Sequence, residues 1–458
     1  MSSAPRSTAP SPPHARALGP LALALVGSCS PAPTSDAPSL PNVVLISIDT
    51  LRADHVGTYG YERDTTPYLD RLAEESLVFE RAFTPAPWTL VAHMTMLSGL
   101  YPNQHGVVTG DWALSSETPM LAERLKTAGY QTAALYFEGW IHERHGFHRG
   151  FDVWRNHVDA EQAGDHLAEL LDAFDPDEPF FLFLHLFDVH SGELDSQAPG
   201  PIYDSPPPFD TMFLEDAAER LPQIPEGQLW VTKGPYPESM LEGLRALYDG
   251  GIRYVDGKLR DWIEGLRADG LLEDTLLVIT ADHGESLGQR QTNIRDHGGP
   301  YQEGIHVPLI VRLPGGERGG TRIEETAHLA DVVPTILGAA GLADERLPGL
   351  ALTDALPTER TVYGWSPKSY EMVIEWPHKY VDLVYGDQHI EVDLEEHPEE
   401  STAEPLKLEE FERRKAAFEA TLHPFPPPQP VGALSDEDEA RLRDELNAMG
   451  YTGGEETE

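Results

Sequence analysis

Apolar runs alternate along the chain with stretches that have helical spacing. The apolar runs are residues 43–48, 180–186, 276–281 and 307–313. Runs of this length with few charges are typical of strands that are buried on both faces of a parallel sheet. Residues 66–76, 119–128 and 240–266 have the spacing of amphipathic helices, the last with an expected interruption at Gly250-Gly251. The alternation predicts an α/β sandwich with a mostly parallel central sheet.

Two regions depart from this rhythm. Residues 191–237 are rich in proline and scattered acids, and we interpret them as an insertion over the rim of the site. Beyond residue 347 the chain breaks into short strand-like pieces, followed by two helical stretches. The strand-like pieces are residues 362–365, 371–376, 380–385 and 389–394, and the helical stretches are 406–422 and 436–449.

The first 40 residues have the pattern of an export signal. Arg6 and Arg16 precede an apolar run, residues 17–27, that is too short to span a membrane. The run is followed by Cys29, the only cysteine, in a segment that resembles the lipobox of bacterial lipoproteins. We therefore expect an exported lipoprotein, in the periplasm or at the cell surface, held to the membrane by a lipid on Cys29 and a flexible tether. An ordinary cleaved signal or a disordered tail with an incidental cysteine are the alternatives.

The formal charge of −44, from 77 acidic and 33 basic residues, bears on the class of partner. A polyanion would be repelled, so the composition disfavours nucleic-acid binding. An anionic substrate would need a local positive centre, which a bound metal ion can supply.

Acidic and imidazole side chains follow two of the apolar runs. Residues 43–48 end in Asp49, and residues 276–281 end in Asp282-His283. Ligands in open α/β sheets bind beyond the carboxyl ends of the strands, so these side chains are candidate metal ligands. Between them, a proline-rich loop opens a helical stretch at Thr89. Taken alone, Asp49 could equally cap a turn.

These segments, in this order, resemble the sulfatase family of the alkaline-phosphatase superfamily. The resemblance runs from about Pro41 to Gly341. Further similar stretches are Tyr101-Pro102-Asn103-Gln104-His105-Gly106, residues 125–132 and residues 307–311. The resemblance implies an alkaline-phosphatase-like catalytic domain over residues 41–346, a small antiparallel subdomain over 347–400 and a helical tail over 401–458.

The family nucleophile lies in a Cys-x-Pro-x-Arg segment whose cysteine becomes formylglycine. Here Thr89, Val91 and His93 occupy the cysteine, proline and arginine positions. The resemblance implies that Thr89 is both nucleophile and metal ligand, although threonine is not the usual precursor of formylglycine. Metal coordination and a helix N-terminus can activate a hydroxyl. A sulfated threonine has no easy exit by elimination, which favours phosphoryl chemistry. The alternative is that Thr89 is only a helix N-cap.

For the metal, the resemblance implies Asp49, Asp282, His283 and Thr89 as ligands, with Thr50 as a weaker candidate. Thr50 stands where many sulfatases have a second aspartate. We expect one divalent ion, Ca²⁺, Mg²⁺, Mn²⁺ or Zn²⁺; mixed oxygen and nitrogen ligands suit Mn²⁺ or Zn²⁺ better than Ca²⁺. A two-metal site would need more ligands than can be assigned.

Further basic side chains are candidates for binding anionic oxygens or protonating a leaving group. They are Arg52, His93, His190 and His297, with His185 beside His190 in the stretch that follows a buried strand. Each histidine could instead be a hydrogen-bonded structural residue. His105 is expected to be structural.

The sequence thus predicts a metal-dependent hydrolase of sulfate or phosphate esters. Its substrate would be an anionic ester of a glycan, a lipid or a small molecule. A phosphodiester or phosphonate hydrolase, a head-group transferase of the same superfamily, and a non-catalytic protein that binds anionic glycans are the alternatives.

Overall fold

The computed structural model describes residues 40–432, except 192–202, 222–234, 291–296, 298, 368 and 385–387. The predicted signal segment, Cys29, the predicted helix over residues 436–449 and much of the proline-rich insertion lie outside the described residues. Among the residues that are described, no helix is both long and apolar enough to cross a bilayer.

The first twelve strands build the main domain. They are β1 Asn42–Ile48, β2 Leu77–Phe79, β3 Ala82–Phe83, β4 Trp112–Ala113, β5 Gln131–Phe137, β6 Val153–His157, β7 Phe180–Leu186, β8 Thr275–Thr280, β9 His306–Val307, β10 Leu309–Arg312, β11 Thr321–Ile323 and β12 Ala327–His328. The remaining strands are β13 Thr361–Ser366, β14 Tyr370–Glu375, β15 His378–Leu383, β16 Gln388–Asp393, β17 Glu404–Pro405 and β18 Gln429–Pro430.

Helices cover the sheet and connect its strands. They are α1 Pro67–Ala73, α2 Thr89–Ser98, α3 Pro102–His105, α4 Leu121–Thr127, α5 Ala160–Ala173, α6 Ala217–Arg220, α7 Glu238–Ala268, α8 Gln302–Ile305, α9 Val332–Ala339 and α10 Leu408–Glu419. Single 3-10 turns lie at Ala53–His55, Gly57–Tyr59, Glu143–His145, Leu272–Asp274, Pro314–Gly316 and Leu329–Asp331.

Eight strands form the central sheet, in the order β11-β2-β10-β8-β1-β7-β5-β6. Within it β10 pairs antiparallel with both β8 and β2, while the other pairings are parallel. Strand β1 is central, and its carboxyl end lies between those of β8 and β7. Its residues from Val43 to Ile48 are almost completely buried, as the uninterrupted apolar run predicts.

A separate antiparallel sheet of β13 to β17 follows the main domain. Helix α10 packs on it: Phe418 stacks on Tyr363 and meets Tyr101 of the main domain edge-on. The predicted fold class, a mostly parallel sandwich with a small C-terminal antiparallel sheet, is confirmed.

The long helix differs from its prediction, because α7 runs from Glu238 to Ala268 without interruption at Gly250-Gly251. The two glycines serve close packing instead. A Cβ atom on Gly250 would lie 2.2 Å from the carbonyl oxygen of Phe209, and one on Gly251 would lie 3.2 Å from that of Asp188. The helix needs bare backbone at this point to let two chain segments approach it.

The expected single strand over residues 307–313 is also divided. Residues 306–307 pair with β3, whereas Leu309–Arg312 pairs with β8 and β2. Pro308 separates the two pieces, since it has no backbone N–H to donate to a ladder.

We expect Gly250→Ala to destabilise the protein by about 1–3 kcal/mol, because the added methyl group collides with backbone. Gly257→Ala is the matched control on the same helix, where an added Cβ meets nothing within 4 Å. It should stabilise by about 0.5–1 kcal/mol, since alanine is the better helix former. Thermal unfolding of both variants checks this; equal midpoints would contradict the packing role of Gly250.

Candidate active site

The site lies where the carboxyl ends of β8, β1 and β7 meet. Asp49 follows β1 directly, and its N–H donates to the carbonyl of Leu186 on β7 at 2.8 Å. Asp282 and His283 follow β8. His185 lies in β7 in register with Ser47 of β1. Residues more than 200 positions apart in sequence thus share one edge of the sheet.

Asp49, Asp282 and His283 form a fully buried cluster. Nε2 of His283 lies 3.8 Å from Oδ1 of Asp49 and 3.5 Å from Oδ2 of Asp282. One possible ligand atom from each of these three residues lies within 4.8 Å of the others. His93, His185 and Asp282 form a second group with the same spacing. The sequence-predicted acids and His283 are therefore brought together.

The polar atoms of this cluster suit a bound cation. Among the described residues, Oδ1 of Asp49 and Oδ2 of Asp282 accept no hydrogen bond although both are buried. An unsatisfied buried carboxylate oxygen is costly, and metal coordination is one of the ways in which proteins satisfy such groups. The Nδ1 of His283 contacts the carbonyl of Gly284 at 2.8 Å and therefore carries a proton, which leaves Nε2 of the neutral ring as the nitrogen that would bind a metal ion.

The ionisation of the cluster reflects crowding of like charges. Burial, reinforced by Asp282, raises the pKa of Asp49 well above its usual value. Burial acts in the same direction on Asp282, but His283, His93 and His185 outweigh it and lower the pKa of Asp282. Burial disfavours protonated His283, yet the two aspartates outweigh it and raise its pKa. Without a cation, burial and crowding therefore favour the protonated form of Asp49, and a metal ion bound there would displace that proton.

Gly284 closes the Asp-His-Gly segment for a steric reason. A Cβ atom at this position would lie 2.0 Å from the carbonyl oxygen of Glu303 and 3.0 Å from Cγ of Arg52. The Gly284 N–H donates to the carbonyl of Gly304 at 2.9 Å. The glycine thus allows the returning chain to support the ligand segment.

Thr89 is the first residue of α2, and its hydroxyl faces the cluster. Its Oγ1 lies 3.5 Å from Oδ2 of Asp49 and 3.4 Å from Nε2 of His283. The N-cap is Trp88, which has an extended backbone and makes no side-chain capping bond. The position therefore places the Thr89 hydroxyl between the helix N-terminus and the acidic cluster.

His93, at the position of the family arginine, lies one turn along α2 and is buried. Its Nδ1 is 2.9 Å from the carbonyl of Thr89, and its Nε2 is 3.0 Å from Oγ of Ser47. Because a carbonyl only accepts, Nδ1 carries the proton and Nε2 accepts from Ser47. Burial, together with His185, lowers the pKa of His93 to about 3, so the ring is neutral near pH 7.

Thr50 and Arg52 touch the site differently from their predicted roles. The backbone N–H of Thr50 donates to Oδ1 of Asp282 at 3.3 Å, while its hydroxyl has no hydrogen-bond partner among the described residues. The guanidinium of Arg52 pairs with Asp54 through two hydrogen bonds of 2.8 and 2.6 Å and donates to the carbonyl of Glu285. Its charge is thus committed to Asp54, beside the Asp-His-Gly segment.

His297 and His190 line the other side of His283. The ring of His297 lies 5.1 Å from that of His283 and 5.0 Å from that of His190. Glu285 holds this side together: it accepts from Ser191 at 2.7 Å and from the hydroxyl of Tyr203, and lies 3.7 Å from Nδ1 of His297. His105 lies outside the cluster, where it contacts Thr95 and accepts from the N–H of Val107.

Glu285, Ser47 and Tyr203 are contacts that sequence reasoning missed. A weak signal existed for two of them: Ser47 is the one hydroxyl in the apolar run of β1, and Glu285 follows Asp-His-Gly directly. Tyr203 carried no signal, because its contact with Glu285 joins residues 82 positions apart in the sequence.

The profile of the sulfatase family matches residues 41–342. The chain belongs to the sulfatase family. An arylsulfatase of Clostridium perfringens is 25% identical, over 82% of this chain and 92% of that sequence. An ulvan-active sulfatase of Formosa agariphila is 26% identical, over 67% of this chain and 63% of that sequence. The chain is therefore an ester hydrolase of the sulfatase family.

Solved structures show the same fold. A phosphonate monoester hydrolase of Agrobacterium radiobacter has a TM-score of 0.66 at 19% identity, over 83% of this chain and 94% of its own. A structure in complex with D-glucosamine-2-N,6-O-disulfate has a TM-score of 0.63 at 16% identity, over 92% of this chain and 100% of its own.

We expect Asp49→Asn to raise the thermal midpoint of chelator-treated protein, because it removes one of two crowded buried carboxylates. The same change should abolish most of the increase that Mn²⁺ or Zn²⁺ gives to the wild type. Asp261→Asn, at an exposed position on α7, should change neither quantity. A metal-induced increase that survives in Asp49→Asn would contradict the assignment of Asp49 to the metal centre.

Proposed function

We propose that this chain is a metal-dependent hydrolase of phosphate or sulfate esters in which Thr89 is the nucleophile. The observation that carries the proposal is the placement of the Thr89 hydroxyl. It stands at the first turn of α2, within 3.5 Å of both Asp49 and His283. A hydroxyl needs activation at neutral pH, and this position combines a helix N-terminus with a site that suits a cation.

The residues that would hold the ion are Asp49, Asp282, His283 and Thr89. When bound there, a divalent ion lowers the pKa of the Thr89 hydroxyl and offsets the negative charge of an anionic substrate. The N–H groups that begin α2 favour the anionic ester group in the same place. The protein thus binds an anion despite its acidic composition through one local positive centre.

The chemistry divides into two displacements at the same phosphorus or sulfur atom. Oγ1 of Thr89 loses its proton and forms a bond to that atom, while the bond to the ester oxygen breaks and the departing alkoxide takes up one proton. His190 and His297, which stand beside each other, are the proposed groups that bind substrate oxygens or pass the proton to the alkoxide. Water then attacks the same atom and breaks its bond to Thr89, and one proton of the water restores the hydroxyl.

The second displacement favours phosphorus esters. The phosphoryl or sulfuryl group can leave Thr89 only when water attacks its central atom. A hydrated aldehyde has a second hydroxyl that can expel the group by elimination, and threonine has none. This feature supports phosphate or phosphonate esters first and sulfate esters second.

The organic part of the substrate is proposed by analogy. Relatives include an ulvan-active sulfatase and a delta 4,5-hexuronate-2-O-sulfatase. An acidic glycan is accordingly the carrier that we propose for the ester group.

We expect Thr89→Val to lower kcat/KM for the preferred ester by at least about 10³-fold, because it keeps the shape of the side chain and removes the nucleophile. Thr89→Ser should retain part of the activity. Thr95→Val is the matched control on the same helix, away from the cluster. The assay compares aryl phosphate, phosphodiester, phosphonate and sulfate esters with each of four divalent ions.

Rapid acid quench of wild-type turnover should also show one phosphoryl group on the peptide that contains Thr89. Full activity in Thr89→Val would refute the nucleophile. Turnover of sulfate esters alone would refute the preference for phosphorus.

We also propose that the mature protein is exported and anchored through a lipid on Cys29. Cys29→Ala should move the protein from the membrane fraction to the soluble fraction and abolish incorporation of a fatty-acid probe. Retention of the probe would contradict the anchor.

A further inference from the structure

His185 is a buried imidazole inside the cluster, and the one polar residue of β7. It is 1% exposed, and its backbone carbonyl contacts Nε2 of His157 at 2.8 Å. Its ring lies 4.6 Å from that of His93, nearly perpendicular to it. The strand and the ring of His93 together fix where the imidazole stands.

The ring nitrogens of His185 have no hydrogen-bond partner among the described residues. Nε2 lies only 3.2 Å from Oδ2 of Asp49, yet the two atoms do not meet the geometry of a hydrogen bond. A fully buried imidazole without partners is costly, as is the unsatisfied Oδ1 of the same Asp49. His185 and Asp49 are thus adjacent and buried, and each has a polar atom without a hydrogen bond.

The separations between the polar atoms match those between ligands of a single ion. Two ligands at about 2.1 Å from one tetrahedral ion lie about 3.4 Å apart. The distance from His185 Nε2 to Asp49 Oδ2 is 3.2 Å, and that from His283 Nε2 to Asp282 Oδ2 is 3.5 Å. Thr89 Oγ1 lies 3.4 Å from His283 Nε2. Asp49 and Asp282 link His185 to this cluster: Oδ2 of Asp49 approaches His185, and Asp282 groups with His93 and His185 as well as with Asp49 and His283.

We propose that His185 is a further ligand of the ion held by Asp49, Asp282 and His283. The inference rests on the proposed metal-dependent function and deepens it. Thr50, at the position where many sulfatases have a second aspartate, turns its backbone N–H to Asp282. His185 reaches the centre from the neighbouring strand and supplies a neutral nitrogen in place of that carboxylate.

A second ion held by His93, His185 and Asp282 fits the contacts less well. Both nitrogens of His93 are already engaged, Nδ1 with the carbonyl of Thr89 and Nε2 with Ser47. His93 is then a positioning residue, whose N–H also lies 3.6 Å from Oδ2 of Asp282. His185 is the histidine of this group whose ring nitrogens have no hydrogen-bond partner among the described residues.

Two imidazoles in one centre bear on the metal. Imidazole suits Zn²⁺ and Mn²⁺ better than Ca²⁺ or Mg²⁺, which prefer oxygen ligands. The proposal therefore predicts stronger binding of Zn²⁺ than of Ca²⁺.

The test counts imidazole ligands on the full-length protein loaded with one equivalent of Zn²⁺. X-ray absorption at the zinc edge should show two imidazoles in the wild type and one in His185→Phe, which keeps a flat ring in the apolar strand. A competition titration should show that His185→Phe lowers the affinity for Zn²⁺ by about 100-fold or more, since even residues that only orient a ligand change affinity by about 10–100-fold.

His105→Phe is the matched control, because it removes another fully buried imidazole outside the cluster. It should bind Zn²⁺ with nearly wild-type affinity. One imidazole, or three, in the wild type would overturn the proposal, as would two ions per chain. One imidazole with intact hydrolysis would overturn this inference alone, whereas a protein that binds no divalent ion would overturn it together with the proposed function.

Discussion

Two carboxylates buried side by side at the end of a parallel sheet are the constraint on which this site depends. Asp49 and Asp282 are both completely buried, and each has an oxygen with no hydrogen bond among the described residues. Such a pair is unfavourable in a fold without compensation, because burial removes hydration and the charges repel. His283 supplies partial compensation, and the unsatisfied carboxylate oxygens suit a cation.

The architecture keeps this arrangement rigid from two directions. On one side, β1 is held between β7 and β8, so the ends of three buried strands fix the ligands with little freedom to relax. On the other side, the chain that returns after His283 is tied to the small C-terminal sheet. Glu400 accepts from the N–H of Gln302 and from the buried Lys379, and Arg290 forms two hydrogen bonds with Glu303. The C-terminal sheet thus supports the segment that carries the ligands.

The replacements within the family motif form a consistent set. Thr89, His93 and Thr50 stand where the resemblance leads one to expect cysteine, arginine and aspartate, and each removes charge or reactivity from the site. Neutral nitrogen atoms of His93 and His185 occupy the space next to Asp282, with Ser47 behind them. The proposed centre is thereby richer in imidazole than a set of carboxylates would be, and imidazole suits Zn²⁺ or Mn²⁺ better than Ca²⁺.

Much of the fold and the central residues of the site followed from the sequence. Charge-free runs predicted the buried strands, and the acids and the histidine that follow two of them were expected to meet at one site, because ligands in open α/β sheets bind beyond the carboxyl ends of the strands. The position of Thr89 followed from its motif. Periodicity reports which faces of an element are buried, and the strand ends are where that signal is strongest.

The sequence did not show which helices and strands become neighbours. The pairing of β1 with β7 brings His185 to Asp49, and the glycines of α7 meet Phe209 and Asp188 instead of ending the helix. Arg52 pairs with Asp54, two residues away, a contact that its place in the sequence did not indicate. These outcomes depend on distances between side chains from separate elements. Local periodicity carries no information about such distances, so only the tertiary structure decides them.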